Sequence, residues 1–277
     1  MEASKLHNVV RRATRAMTLT WQGLNHLLWP AACANCGDGI TEANEDLCRR
    51  CWSQLLTCTA GDYCPRCGRD ASQYGLVAGA CAACRQQEIH FDGIARAGVY
   101  MEAMQHMILA FKHDLTELAP VLVPLADAAL QGSRFYDDIG LFVPVPLHWT
   151  RRLLRGYNQS HLIARGLKHP RARINTDLVR IRRTQTQPVA DTFSARARNV
   201  DGAFAVREGH PFTGKTVCLV DDIKTSGATL NECARTLKKA GAARVYALVL
   251  AVAGQKAMLL TSKTEVVDEP EMRGQHA

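Results

Sequence analysis

Residues 216–230 decide the fold: Thr216-Val217-Cys218-Leu219-Val220-Asp221-Asp222-Ile223-Lys224-Thr225-Ser226-Gly227-Ala228-Thr229-Leu230. Residues 217–220 form a short apolar run with the length and β-branched content of a buried parallel strand. The adjacent carboxylates Asp221 and Asp222 end that strand, and small residues at 225–229 make a loop. A helix follows, with Leu230, Cys233, Ala234 and Leu237 at helical spacing and Gly241 as its stop.

This order of residues suits recognition of a sugar phosphate. A loop at a helix N-terminus points several backbone N–H groups at one spot, where the helix dipole also favours negative charge. Gly227 lets the backbone come close, and the hydroxyls of Thr225, Ser226 and Thr229 add donors. The two aspartates can accept hydrogen bonds from vicinal ribose hydroxyls, directly or through a bound Mg²⁺. Carboxyl ends of parallel strands are where α/β proteins place ligands. The plain alternative is a strand–loop–helix joint whose aspartates cap the helix, but the full ordered string is more specific than a lone glycine-rich loop.

With 277 residues the chain suits one large or two modest domains, and an apolar fraction of 47% is ordinary for a globular core. A net charge of +8 favours an anionic partner. No run approaches the roughly 18 apolar residues that span a bilayer, so membrane insertion is not expected. Nor is there an apolar segment of signal-peptide form near the start, which points to the cytoplasm. Residues 1–20, with Arg11, Arg12 and Arg15, read as a start-site extension rather than an amphipathic helix or a targeting segment.

Eight of the eleven cysteines form four CxxC pairs: Cys33/Cys36, Cys48/Cys51, Cys64/Cys67 and Cys81/Cys84. The gaps between pairs are 11, 12 and 13 residues by count. A CxxC knuckle puts two thiolates on one side of a tight turn, and two knuckles complete a tetrahedral zinc site. Disulfides are the alternative, disfavoured in a reducing compartment. Sequential pairing groups Cys33, Cys36, Cys48 and Cys51 on one zinc, and Cys64, Cys67, Cys81 and Cys84 on another. Interleaved pairing would join first with third and second with fourth. Sequential pairing is preferred because it closes shorter loops. Four thiolates leave no open coordination position, so both zincs are expected to be structural. Cys58, Cys218 and Cys233 read as spare or buried residues.

After Cys84, residues 85–93 read as a linker, 94–100 as a strand, 101–112 and 121–130 as helices, and 141–147 as a buried strand running into a proline-fixed turn. The basic stretch Arg151-Arg152-Leu153-Leu154-Arg155-Gly156-Tyr157-Asn158-Gln159-Ser160 enters another helix. Its readings are a solvated surface or, beside a phosphate site, donors for a diphosphate or a nucleic-acid strand. Residues 182–200 read as a mobile arginine-rich loop. Arg182, Arg183, Arg196 and Arg198, with Arg152 and Arg155, are the candidates for single-stranded nucleic acid. A loop closing over a diphosphate is the other reading.

VDDIKTSGAT resembles the phosphoribosyl-diphosphate (PRPP) motif of type I phosphoribosyltransferases. Lys224 stands where that family usually has a hydrophobic or aromatic residue, and Ser226 where it has threonine. The wider order of CxxC pairs, FK-H, VPVPLH, RRLLRGYNQS, RRTQTQP and VDDIKTSGAT resembles the ComF family. The resemblance implies an α/β type I phosphoribosyltransferase fold, a mostly parallel twisted sheet flanked by helices, preceded by a small Cys-rich zinc-ribbon domain. The expected division is an N-terminal extension at 1–27, a double zinc ribbon at 28–88, a phosphoribosyltransferase-like domain at 89–253 and a polar tail at 254–277, the resemblance covering the two middle segments.

The same resemblance implies a role in natural competence, with single-stranded DNA handled in the cytoplasm. It puts Lys112, Arg155, Gly156, Asn158, Gln159, Gln187, Arg196 and Asn199 around the PRPP and DNA sites. Asp221 and Asp222 would hold the ribose, residues 225–229 (with Ala228) its 5-phosphate, and Lys112 and Arg155 the diphosphate, with Mg²⁺. No residue is identified as nucleophile or base. Three roles therefore stand: an enzyme using PRPP, a DNA-handling protein whose PRPP pocket is a sensor or relic, and a scaffold whose ribbons bind a competence-machinery protein.

Overall fold

The computed structural model describes residues 32–40, 46–112, 116–147, 156–182 and 198–254. The expected N-terminal extension, Arg152, Arg155, Arg183, Gln187, Arg196 and all but the first residue of the polar tail lie outside the described residues. The chain divides into two units, Met1–Ser53 and Gln54–Ala277.

In the larger unit, five parallel strands stand in the order β1-β7-β6-β2-β3. They are β1 (Gly93–Val99), β2 (Leu141–Pro144), β3 (Arg173–Ile174), β6 (Thr216–Lys224) and β7 (Arg244–Val252). A separate antiparallel pair joins β4 (Leu178–Arg180) to β5 (Phe204–Val206). This is the mostly parallel sheet that the resemblance implies. The central strands are apolar on both faces because helices cover both: residues 217–220 and 245–252 are buried throughout.

Helix α1 (Arg49–Thr59) belongs to the cysteine-rich region. Helices α2 (Glu102–Lys112), α3 (Ala119–Gln131), α4 (Gln159–Gly166) and α5 (Ala228–Lys239) belong to the larger unit. As the methionine spacing predicts, Met104, Met107, Ile108 and Phe111 of α2 are buried. Helix α5 buries Leu230, Cys233, Ala234 and Leu237 against the sheet.

Two expectations change. Strand β6 does not end at the aspartates but pairs with β7 as far as Lys224, which stands opposite Val252. The ladder continues because β7 is itself nine residues long and apolar almost throughout. The carboxylates are thus fixed by strand geometry rather than hung on a loop. Residues 85–93 are also less free than a linker. His90 N–H donates to Asn231 Oδ1 at 2.5 Å, Asn231 Nδ2 donates to the Glu88 carbonyl, and Asp92 accepts from Lys238 Nζ at 2.7 Å and from Val245 N–H. Phe91 is buried between them.

Candidate functional site

The chain starts the sheet at the edge strand β1, crosses to β2, and then leaves the centre in both directions. From β2 it passes outward to β3, and from β6 it passes outward the other way to β7, while β2 and β6 are neighbours. Between strands that diverge in this way, a crevice opens at their carboxyl ends. Asp221 and Asp222 stand on that edge of β6, and Val145, just past β2, is tied to it by its N–H on the Val220 carbonyl. The N-terminus of α5 follows after three residues.

Gly227 caps α5 with φ +84°, a left-handed conformation that glycine adopts without strain. Ser226 is buried, and its Oγ accepts from Ala228 N–H at 3.3 Å. Its hydroxyl thus shapes the loop rather than standing free. Ala228 and Thr229 already belong to the first turn of the helix, so their N–H groups point out of its end. The loop proper is residues 225–227.

Residues 157–160 turn out to be a clamp. Tyr157 donates its hydroxyl to the Phe111 carbonyl at the end of α2. Asn158 caps α4 by accepting from Ser160 N–H at 3.1 Å, and its Nδ2 donates to the Val145 carbonyl. Gln159, buried, donates to the Lys112 carbonyl at 3.3 Å. Ser160, also buried, donates its hydroxyl to Asp221 Oδ1 at 3.0 Å. Four consecutive side chains therefore tie α2, β2 and β6 together at the crevice. Asn158 and Gln159 serve the framework of the site through these bonds. Ser160 is the site residue that sequence reasoning missed; its signal was a hydroxyl two residues after an N-cap asparagine.

Lys112, at the last turn of α2, reaches Asp222 at 3.2 Å with both side chains largely shielded from water. Asp221 is less well compensated. Burial and the neighbouring Asp222 charge push its pKa up from 3.8 to about 7, against the Asp222 N–H, the Ser160 hydroxyl and Lys112, which hold it down. An acidic pair with one member ion-paired and the other near neutrality is suited to a cationic or hydroxyl-rich ligand.

Of the arginines named above, Arg182 and Arg198 are described, and both are exposed. Arg182 donates to the carbonyls of Asn199 and Asp201, closing the base of the segment that β4 and β5 bracket. Glu232 of α5 accepts from Gly202 N–H at 2.9 Å and pairs with Arg235, which also holds Asp201. The far end of the arginine-rich stretch is thus bound to the helix whose N-terminus forms the phosphate-like loop.

The cysteines gather as two sets, Cys33/Cys36/Cys48/Cys51 and Cys64/Cys67/Cys81/Cys84, each with its sulfurs within 4.8 Å of one another. This is the sequential pairing. All eleven cysteines are free thiols. Sulfur separations are 3.7 Å for Cys36–Cys48, 3.7 Å for Cys64–Cys84 and 3.5 Å for Cys67–Cys81. A tetrahedron with Zn–S bonds of about 2.3 Å has edges of about 3.8 Å, whereas a disulfide is about 2 Å long. The donor sets fit zinc. Each first knuckle turns the same way: Gly37 N–H bonds the Cys33 carbonyl at 2.8 Å and Gly68 N–H the Cys64 carbonyl at 2.7 Å.

In the larger unit the second set is docked on β1. Arg96, buried, donates to the Gly68 carbonyl at 2.8 Å and to Asp70 at 2.5 Å, and lies over the Tyr63 ring. Ile94 N–H donates to the Pro65 carbonyl at 3.0 Å. Among the described residues no helix is long and apolar enough to cross a membrane.

Comparison with known proteins agrees with this layout. Residues 24–88 match the double zinc ribbon domain and residues 160–276 the phosphoribosyl transferase domain. Competence protein F of Haemophilus influenzae is 29% identical over 226 residues, 79% of this chain and 96% of that protein. The DNA utilization protein YhgH of Salmonella typhimurium is 31% identical over 66% of this chain and 80% of that protein. Competence protein ComFC of Bacillus subtilis is 28% identical over 74% and 82% respectively. A solved structure of an allosteric regulatory enzyme of purine biosynthesis aligns with a TM-score of 0.32 at 15% identity, covering 55% of this chain and 38% of that one. That similarity is too distant to add to the fold read from the sheet itself.

Proposed function

Because the chain belongs to the ComF family, we propose that it binds PRPP with Mg²⁺ at the carboxyl ends of β2 and β6 and handles single-stranded DNA during DNA uptake. The observation that carries this reading is the convergence, at the switch point of the sheet, of a shielded acidic pair with a glycine loop at a helix N-terminus. In this reading Asp221 and Asp222 accept from the ribose hydroxyls or ligate Mg²⁺. The N–H groups of residues 225–229, with Ala228 N–H first leaving Ser226 Oγ, and the hydroxyls of Thr225 and Thr229 hold the 5-phosphate. Lys112 exchanges Asp222 for the diphosphate when ligand enters, and Arg155 joins it there.

The relatives' names, competence protein and DNA utilization protein, support the DNA half of the reading. So does the net charge of +8. Arg152, Arg155, Arg182, Arg183, Arg196 and Arg198 are assigned to the strand's phosphates. The zinc ribbons are assigned a structural role and, through their exposed surface, contact with another protein of the uptake machinery.

Calorimetric titration of PRPP and Mg²⁺ into the zinc-loaded chain tests the pocket. Binding lost in Asp222→Ala supports it; no binding to the folded wild type overturns it. Repeating the titration with a single-stranded oligonucleotide reads coupling between the sites. Salt-sensitive oligonucleotide binding lost when Arg182, Arg183, Arg196 and Arg198 are replaced, and kept in Asp222→Ala, supports the DNA half. Diphosphate release that disappears in Asp221→Ala separates a transferase from a ligand sensor.

A further inference from the structure

Lys224 is one of two motif residues that depart from the family pattern, and it is 4% exposed. Among the described residues no carboxylate forms an ion pair with its ammonium. A lysine buried without one is costly unless charge nearby compensates it. Two features flank it, one built to receive an anion and one that is anionic when zinc is bound.

The first is the loop. Gly227 lies over the lysine: a Cβ built there would stand 2.8 Å from Lys224 Cε and 3.4 Å from Nζ. The ammonium therefore sits beneath the cap of α5, on the inner side of the place assigned above to a phosphate. The second is the second zinc set. Gly68 packs on β7 so closely that a Cβ would meet Val252 at 3.0 Å, and Val252 is the register partner of Lys224. Burial, with the neighbouring Arg69 charge, pushes the Lys224 pKa down to about 8, and the thiols of Cys67, Cys81 and Cys64 push back against that fall. Four thiolates around one Zn²⁺ leave a net charge of about −2. Such a charge in a buried site needs a cation close by.

We propose that Lys224 is a shared counter-ion, serving the zinc site of Cys64, Cys67, Cys81 and Cys84 on one side and the phosphate loop on the other. The phosphate arm rests on the PRPP reading above; the zinc arm does not. Through this one ammonium the second ribbon is an electrostatic part of the ligand pocket, in addition to being packed on β1 and β7.

The test uses the full chain with both zincs loaded and two variants, Lys224→Met and Lys224→Leu, that keep apolar bulk and remove the charge. Two quantities are read: zinc release from the second site to a chelator, with cadmium-113 resonances reporting each site separately, and PRPP–Mg²⁺ affinity by calorimetry. The expected result is release from the second site about tenfold faster and PRPP affinity about tenfold weaker, the size of one lost charge-assisted contact. The cadmium signal of the second site shifts and that of the first does not. If both variants fold and match the wild type in zinc release and PRPP affinity, Lys224 only fills space and the proposal is overturned. A change in one quantity alone overturns the sharing. A wild type that fails to bind PRPP at all sinks the pocket reading instead, a result separate from any variant.

Discussion

Ser160 donates its hydroxyl to Asp221 across 3.0 Å, joining the first turn of α4 to the carboxyl end of β6. The bond favours the ionised form of a carboxylate that burial and Asp222 otherwise push toward neutrality. Ser160→Ala should therefore raise the Asp221 pKa above its wild-type position and weaken PRPP–Mg²⁺ binding about fivefold, the value of one hydrogen bond to a charged group. Ser160→Thr, which keeps the hydroxyl, should restore both. Unchanged midpoint and affinity in Ser160→Ala would show that the contact does not position Asp221.

The pKa of Asp221 sets a pH dependence of definite sign. Below about 7 the carboxyl holds a proton, so PRPP–Mg²⁺ affinity should fall as pH drops through that value and level off above it. For folding the sign is opposite. Between 3.8 and about 7 the folded chain holds a proton that the unfolded chain has released, so this group's contribution to stability declines as pH rises through that window. Asp221→Asn should melt higher than wild type at pH 8, by about 2–4 °C per kcal/mol relieved, and the difference should shrink toward pH 4. Thermal melts across that range decide it.

Much of this was legible in the sequence, and the reason lies in particular residues. The apolar run at 217–220, the glycine at 227 and the helix period through Leu237 each depend on local chemistry, so the strand–loop–helix unit could be read directly. CxxC spacing likewise fixes each knuckle locally, and loop closure selects the pairing. What could not be read depends on contacts distant in sequence. Ser160 meets Asp221 across 61 residues and Asn231 meets His90 across 141. In the sequence Lys224 shows only as a departure from the family's motif. Its burial beneath Gly227, and near a zinc set more than a hundred residues earlier, follows only from the register of β6 with β7 and the docking of Gly68 on Val252.

Gly227 carries two constraints that can be separated. Its φ of +84° costs a side-chain residue about 1–2 kcal/mol, and an added Cβ also collides with Lys224 Cε at 2.8 Å. Gly227→Ala should lower the melting temperature and weaken PRPP binding. Shortening the lysine in Gly227→Ala/Lys224→Ala removes the collision and leaves the backbone strain, so part of the lost stability should return once the cost of Lys224→Ala alone is subtracted. A double variant no more stable than the sum of the two singles would mean that the backbone conformation accounts for the whole effect.

The two zinc sets differ in their protection. In the first, Cys36 is exposed and Cys48 part-exposed, whereas all four cysteines of the second are buried. The knuckle of the second is also held by Arg96, which is itself buried and donates to Gly68 and Asp70. Metal analysis should give two zincs per chain, and a chelator should remove them in two phases with the first set the faster. Cys36→Ser should abolish the fast phase and leave the slow one. Arg96→Met should accelerate the slow phase and destabilise the chain by about 1–3 kcal/mol, because it takes the donor from the Gly68 carbonyl; Asp70 is itself largely exposed, so the loss of its cation adds little. A single release phase, or loss of the slow phase in Cys36→Ser, would contradict this order of protection.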